Sequence, residues 1–167
     1  MGAVCFPILS VFFFLTGCSR YHLGNPNELP FQSLYIKQVE NRSLLPQINV
    51  LLAQNLVDAF LRDGSVLITS EDKSDALLAV TIEEANRRRF ATQSNDTLRG
   101  RSFALVLRAT ATLTDTRNGL TFFDAREFTV SEIIFTDEGL QPAEYQAIST
   151  LARDLARKIK DSIVSPW

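Results

Sequence analysis

Three long alternating stretches between Ala76 and Phe135, two of them joined by an Asn-Gly pair, restrict this 167-residue chain more than any other feature. Ala76 to Phe90 sets Leu78, Val80 and Ile82 on one side and Ala79, Thr81 and Glu83 on the other. That period of two is the pattern of a strand with one buried face. Arg101 to Asp115 repeats it with Phe103, Leu105, Leu107, Ala109, Ala111 and Leu113, and Leu120 to Phe135 returns as a third long strand. Asn118-Gly119 is the strongest hairpin signal in the chain. A two-residue turn there pairs Arg117 with Leu120, so that Leu107 meets Val130, Ala109 meets Phe128 and Phe103 meets Ile134. The apolar faces then coincide, which supports the register, because a one-residue slip would turn every side chain to the wrong face. The other face carries Val106, Arg108, Thr110, Thr112, Thr114, Glu127, Thr129 and Ser131. It is rich in threonine and lightly charged, as a solvated sheet face would be.

The flanks supply two helices and a first strand. Ser33 to Val39 alternates Leu34 and Ile36 against Tyr35 and Lys37. Asn41-Arg42-Ser43 reads as a turn and helix start, with Pro46 tolerated in the first turn. Ile48, Leu52, Leu56, Ala59 and Phe60 recur at helical spacing to about Arg62, and Gly64 stops the helix. Val66 to Thr69 reads as a short extended piece and Glu71 to Asp75 as a charged turn. From Ala143 a second helix runs to about Ile163 on a stripe of Ile148, Ala152, Leu155, Ile159 and Ile163, with Arg153, Arg157, Lys158 and Lys160 outside. The order β-α-β-β-β-α predicts an α+β fold. Its form is a two-layer sandwich: a four-stranded, mostly antiparallel sheet with both helices packed on one face. A helix joins the first strand to the next long one, so these two could run parallel through a right-handed crossover.

Both cysteines, Cys5 and Cys18, lie in the N-terminal apolar stretch, so the folded part holds neither a disulfide nor a cysteine metal site. Residues 3 to 17 carry no charge. They are shorter than the roughly 20 residues of a helical membrane span, interrupted by Pro7, and the right length for a signal-peptide core. No Lys or Arg precedes them. Leu15-Thr16-Gly17-Cys18 resembles the lipobox of bacterial lipoproteins: an aliphatic residue, two small ones and a cysteine. That resemblance implies a diacylglyceryl thioether on Cys18, cleavage before it and acylation of the new amine. No cofactor is expected beyond this covalent lipid. The domains expected are a removed signal over 1–17, a lipidated N-terminus and tether over 18–33, and one α/β domain over 34–167. Ser19 after the cysteine is compatible with the outer membrane under the enterobacterial sorting rule. A tether of about 15 residues reaches at most about 50 Å.

Little here supports catalysis. The one histidine, His22, lies in the tether, which excludes a multi-histidine metal site and leaves Ser-His-Asp chemistry without a placed base. The seven glycines are scattered and form no phosphate loop. Glu83 and Glu84, adjacent on a strand, are expected to point to opposite faces. The net charge of −2 does not suggest a nucleic-acid partner. The reading is a non-enzyme.

The lipobox, the "YHLG" after it, the strand-turn-helix "LYIKQVENRSLLPQI", the strand opening "SDALLAVTI", then a hairpin and a final helix together resemble the lipopolysaccharide-assembly lipoprotein family LptE. The resemblance covers nearly the whole chain and is carried by order and spacing. It implies an outer-membrane lipoprotein that plugs a large β-barrel translocon, LptD, on the periplasmic side and does no covalent chemistry. The pair inserts lipopolysaccharide into the outer leaflet. Against that background one charge cluster stands out. Between Ala85 and Arg108 six arginines, Arg87, Arg88, Arg89, Arg99, Arg101 and Arg108, face a single acid, Asp96, so these 24 residues carry +5 and the rest of the chain −7. Arginine binds phosphate bidentately. Arg87, Arg88, Arg89, Arg99 and Arg101 are therefore candidate contacts to lipopolysaccharide or to an acidic barrel wall; the alternative is a solvated hairpin tip that blocks strand edges. The competing classes are an anchored adaptor that activates a cell-wall synthase and a subunit of a lipid-transport complex. The short tether favours a partner close to the membrane.

Overall fold

The computed structural model describes residues 29–89, 102–135 and 140–165. The expected signal peptide, Cys18, His22, Arg99 and Arg101 lie outside them. The packed body begins ahead of Leu34: Phe31 is buried in the core and its ring lies 5.5 Å from that of Phe122.

Strand β1 (Ser33–Ile36) is shorter than its sequence pattern. The Lys37 N–H still donates to the Leu78 carbonyl of the next long strand (2.9 Å), Gln38 and Val39 leave the ladder, and the chain rejoins it as a two-residue strand β2 (Glu40–Asn41). Both pair with β4 (Ala76–Arg89) in parallel, β1 through Ile36 opposite Leu78 and β2 through Glu40 opposite Thr81. Four residues on one side thus match three on the other, so the extended run cannot remain one strand. Asn41 is also not the helix cap. Its Oδ1 accepts from the Ser43 N–H (2.9 Å) and Oγ (2.7 Å), and its Nδ2 donates to the Leu45 carbonyl (2.8 Å), which closes a turn instead. Helix α1 accordingly starts later, at Ile48, and runs to Asp63. Ile48, Leu52, Leu56 and Phe60, spaced by four, are buried. Gly64, at φ 73°, ends the helix in the left-handed region, its N–H donating to the Phe60 carbonyl (3.0 Å). Strand β3 (Leu67–Ile68) pairs in parallel with β1, and Glu71–Lys73 forms a single 3-10 turn.

Strands β4, β5 (Ser102–Asp115) and β6 (Thr121–Phe135) form the antiparallel meander. Helix α2 (Leu140–Val164) closes the order. The sheet runs β3-β1-β4-β5-β6 with β2 also on β4. Among the described residues it has six strands rather than the four expected, because the short pieces around α1 pair as strands. The long ladders are antiparallel, and β1 runs parallel to β4, as a helical crossover between them allows. The α+β character and the two-helix layer stand as read from the sequence. Leu78, Val80, Ile82, Leu105, Leu107, Ala109 and Ala111 from the sheet meet Leu52, Leu56, Phe60, Leu151, Leu155 and Ile159 from the helices in one buried cluster.

The register of the hairpin matches the sequence reading away from the turn and differs at it. Leu107 pairs with Val130, Ala109 with Phe128 and Phe103 with Ile134. At the turn, however, the Asp115 N–H donates to the Leu120 carbonyl (2.7 Å) and Gly119, at φ 70°, donates to the Asp115 carbonyl (2.9 Å). Four residues, not two, connect the strands. Two bulges in β6 restore the offset: Phe122 lies between the Leu113–Phe123 and Thr114–Thr121 pairs, and Asp124 and Ala125 together face Thr112. The second is held by Thr112 Oγ1, which donates to Asp124 (2.9 Å) and accepts from the Ala125 N–H (3.0 Å), with Ala125 at φ 43°.

Candidate functional site

The two ends of the long strands differ in chemistry. At the far end of β4 a bulge at Glu83 decides where the arginines stand. Ile82 faces Ala109 and Glu84 faces Arg108, so Glu83 is the extra residue. Up to Ile82 the even-numbered residues of β4 face the core. Beyond the bulge the odd ones do: Ala85 lies opposite Leu107 and Arg87 opposite Leu105. Arg87 therefore stands on the helix-side face at the end of the core, Arg88, opposite Ala104, takes the other face, and Arg89 ends the ladder opposite Phe103. The Arg87 guanidinium carbon lies 5.4 Å from the centre of the Phe103 ring, within cation–π range. This places a cation beside an apolar rim, a combination suited to a ligand with both phosphate and hydrocarbon. Arg99 and Arg101 belong to the connection between Arg89 and Ser102, and that connection lies outside the described residues.

The bulge also corrects the expectation for the paired carboxylates. Glu83 Oε1 accepts from Thr110 Oγ1 (3.0 Å), and Glu84 Oε1 meets Arg108 Nη1 (2.9 Å). Thr110 and Arg108 alternate with the buried Ala109 and Leu107, so both acids lie on the sheet face away from the helices. Each has a partner, Glu83 also meeting Arg42 (3.3 Å), so they read as surface ion pairs rather than an acid–base pair. Arg108 is thereby drawn out of the cationic cluster. The rest of that face is the threonine surface, with Thr81, Thr110, Thr112 and Thr114 half-buried.

At the opposite end a clamp that the sequence reading missed ties the incoming chain to the hairpin. Asp75 Oδ2 accepts from the Gln32 N–H (3.1 Å), the Ser33 N–H (3.0 Å) and Ser33 Oγ (2.8 Å). Arg117 donates from Nη2 to Asp115 (3.0 Å) and to the Pro30 carbonyl (3.1 Å), and from Nε to Asp115 (3.1 Å). Hydrogen bonds from Ser33, chiefly its hydroxyl, and from Gln32 lower the Asp75 pKa. The Arg117 guanidinium does the same for Asp115, which is buried at 4% exposure. Depressed carboxyl pKa values stabilise the fold at neutral pH, and that contribution disappears as pH falls through them. A signal existed: Asp115 continues the core-facing parity of Leu113, and an acid there needs a cation, which Arg117 supplies.

Between the helices lies a cleft of about 410 Å³ lined by Asn55, Asp58, Arg62, Asp63, Arg153, Arg157 and Lys160. Its acids and bases are largely paired, Lys160 with Asp63 (3.1 Å) and Arg62 with Asp58 (3.9 Å). Among the described residues no cluster of His, Cys, Asp and Glu could hold a metal, and no helix is long and apolar enough to cross a membrane.

Comparison with known proteins gives the same architecture. A family model described as "LptE: Lipopolysaccharide-assembly" matches residues 31–163. No curated protein matches. Solved structures share the fold, among them the following three. Lipoprotein B from Nitrosomonas europaea is 20% identical, over 85% of this chain and 88% of its own, with a TM-score of 0.56. A minor lipoprotein from Acinetobacter baumannii is 18% identical, over 83% and 94%, at 0.53. A DUF330-family protein from Xanthomonas campestris is 14% identical, over 86% and 90%, at 0.58.

Proposed function

The chain belongs to the LptE lipopolysaccharide-assembly family, and on that premise we propose that it is an outer-membrane lipoprotein that plugs and supports a β-barrel translocon of the LptD kind. The family is non-catalytic. Its anchor here is the lipid on Cys18: a diacylglyceryl thioether and an N-acyl chain.

The polarity of the domain is the observation that carries this reading beyond the family. The chain enters at the clamp, beside Asp75 and the start of β4. From Cys18 to Leu29 the chain reaches at most about 40 Å. The arginine end lies at the far end of β4, about 43 Å away at roughly 3.3 Å per residue. A body with one end tied near the anchor and the other that far off matches a bilayer with its headgroups, about 40–45 Å. It suits a plug standing in a barrel. An activator of a cell-wall synthase would have to reach across the periplasm, and this attachment is short for that. The threonine face is the surface suited to a watery lumen.

The arginine end is then the place for lipopolysaccharide phosphates. Replacing Arg87, Arg89, Arg99 and Arg101 together by Ser is expected to weaken lipopolysaccharide binding by about tenfold or more, since hydrogen bonds to charged groups contribute about 1.5–3 kcal/mol each. Binding measured by co-precipitation with labelled lipopolysaccharide checks this, and unchanged affinity sinks the assignment.

A further inference from the structure

Strand β6 ends the sheet: among the described residues no strand pairs with its outer side. An open edge of this kind is a template for another chain. Two devices guard it. The bulges at Phe122 and at Asp124 and Ala125 distort its first part. From Arg126 to Phe135 the ladder with β5 is regular. There, among the described residues, the guard is an ammonium: Lys158 Nζ of α2 donates to the Thr129 carbonyl at 2.8 Å.

We infer that this regular stretch accepts the same strand of a second copy of the chain, and that Lys158 holds it shut. Charge selects the register. Antiparallel strands related by a two-fold axis normal to the sheet must match side chains on the same face, so the two residue numbers of each pair add up to one constant even value. Centred on Thr129, the pairing sets Arg126 opposite Glu132 of the second copy, and does so twice. Glu127 then meets Ser131, and Phe128 meets Val130. Centred on Phe128, Asp124 meets Glu132, a like-charge pair that opposes the ladder. Centred on Val130, Arg126 meets Ile134 and Glu127 meets Ile133. Of the three, the Thr129 centre alone pairs opposite charges. In the single copy the Arg126 guanidinium stacks 4.2 Å from the Phe123 ring and its Nη1 donates to the Ser162 carbonyl of α2 (3.5 Å), a contact it would exchange for Glu132 of the second copy. The inference is independent of the function proposed above.

The test uses the full chain with Cys5→Ser and Cys18→Ser. Lys158→Met keeps the alkyl stem and removes the ammonium. Its self-association, measured by light scattering across a concentration series, is expected to be at least about tenfold tighter than that of the parent, because one charge-assisted hydrogen bond in each copy, two per dimer, no longer competes. Adding Thr129→Cys should give a disulfide-linked dimer under mild oxidation, whereas Thr110→Cys on the inner strand should not. Adding Glu132→Arg should return the Lys158→Met chain to monomer, and adding Arg126→Glu to that should restore the dimer. A Lys158→Met chain that stays as monomeric as the parent overturns the inference. So does a dimer that Thr129→Cys does not cross-link, or a charge exchange that fails to restore association.

Discussion

Cys18→Ser is expected to abolish acylation completely. A thioether needs sulfur, and the serine hydroxyl that replaces it forms no such bond. Each buried methylene contributes about 0.8 kcal/mol to membrane attachment, so several acyl chains make an anchor that a hydroxyl cannot replace. Metabolic labelling with a palmitate analogue reads this directly, with the mass of the mature N-terminus as a second readout. The parent should carry label on a chain beginning at Cys18, and the variant none. Equal labelling of both, or a parent that retains residues 1–17, would refute the assignment of this segment.

Phe60→Ala is expected to lower stability by about 3–5 kcal/mol, the usual cost of removing a large aromatic side chain from a core that cannot collapse around the gap. Phe60 is fully buried on the last turn of α1, where it joins the sheet-facing cluster. Leu44→Ala is the control: Leu44 is 98% exposed, and a surface change of this kind stays within about 0.5 kcal/mol. Denaturant unfolding distinguishes the two. Equal midpoints would mean that α1 does not pack as described.

These structural effects explain what could be read from the sequence. The three long strands were legible because period-2 alternation over 14 or 15 residues has no helical counterpart. The hairpin register was right at Leu107 and Phe103 although the turn was not. A connection longer by two residues and two bulges cancel, and no local pattern shows either. The bulge at Glu83 did leave a trace: after Ile82 the core-facing parity meets Glu84, and the apolar residue comes at Ala85 instead. Reading that break would have placed Arg87 on the helix side and both glutamates on the other. Strands β2 and β3 are two residues each, and pairing at that length is set by what lies beside them. The arginine cluster was visible as charge, but its relation to Phe103 comes from pairing across the sheet. The clamp joins residues more than 40 apart, Ser33 to Asp75 and Pro30 to Arg117, so only the fold could bring it together.

The central claim is that this LptE-family chain works within a membrane β-barrel. Purifying the native protein from solubilised membranes through a C-terminal tag tests it most directly. The account predicts recovery of a large, heat-modifiable β-barrel in a one-to-one complex. Recovery of a glycosyltransferase-type cell-wall synthase, with no barrel, would contradict it.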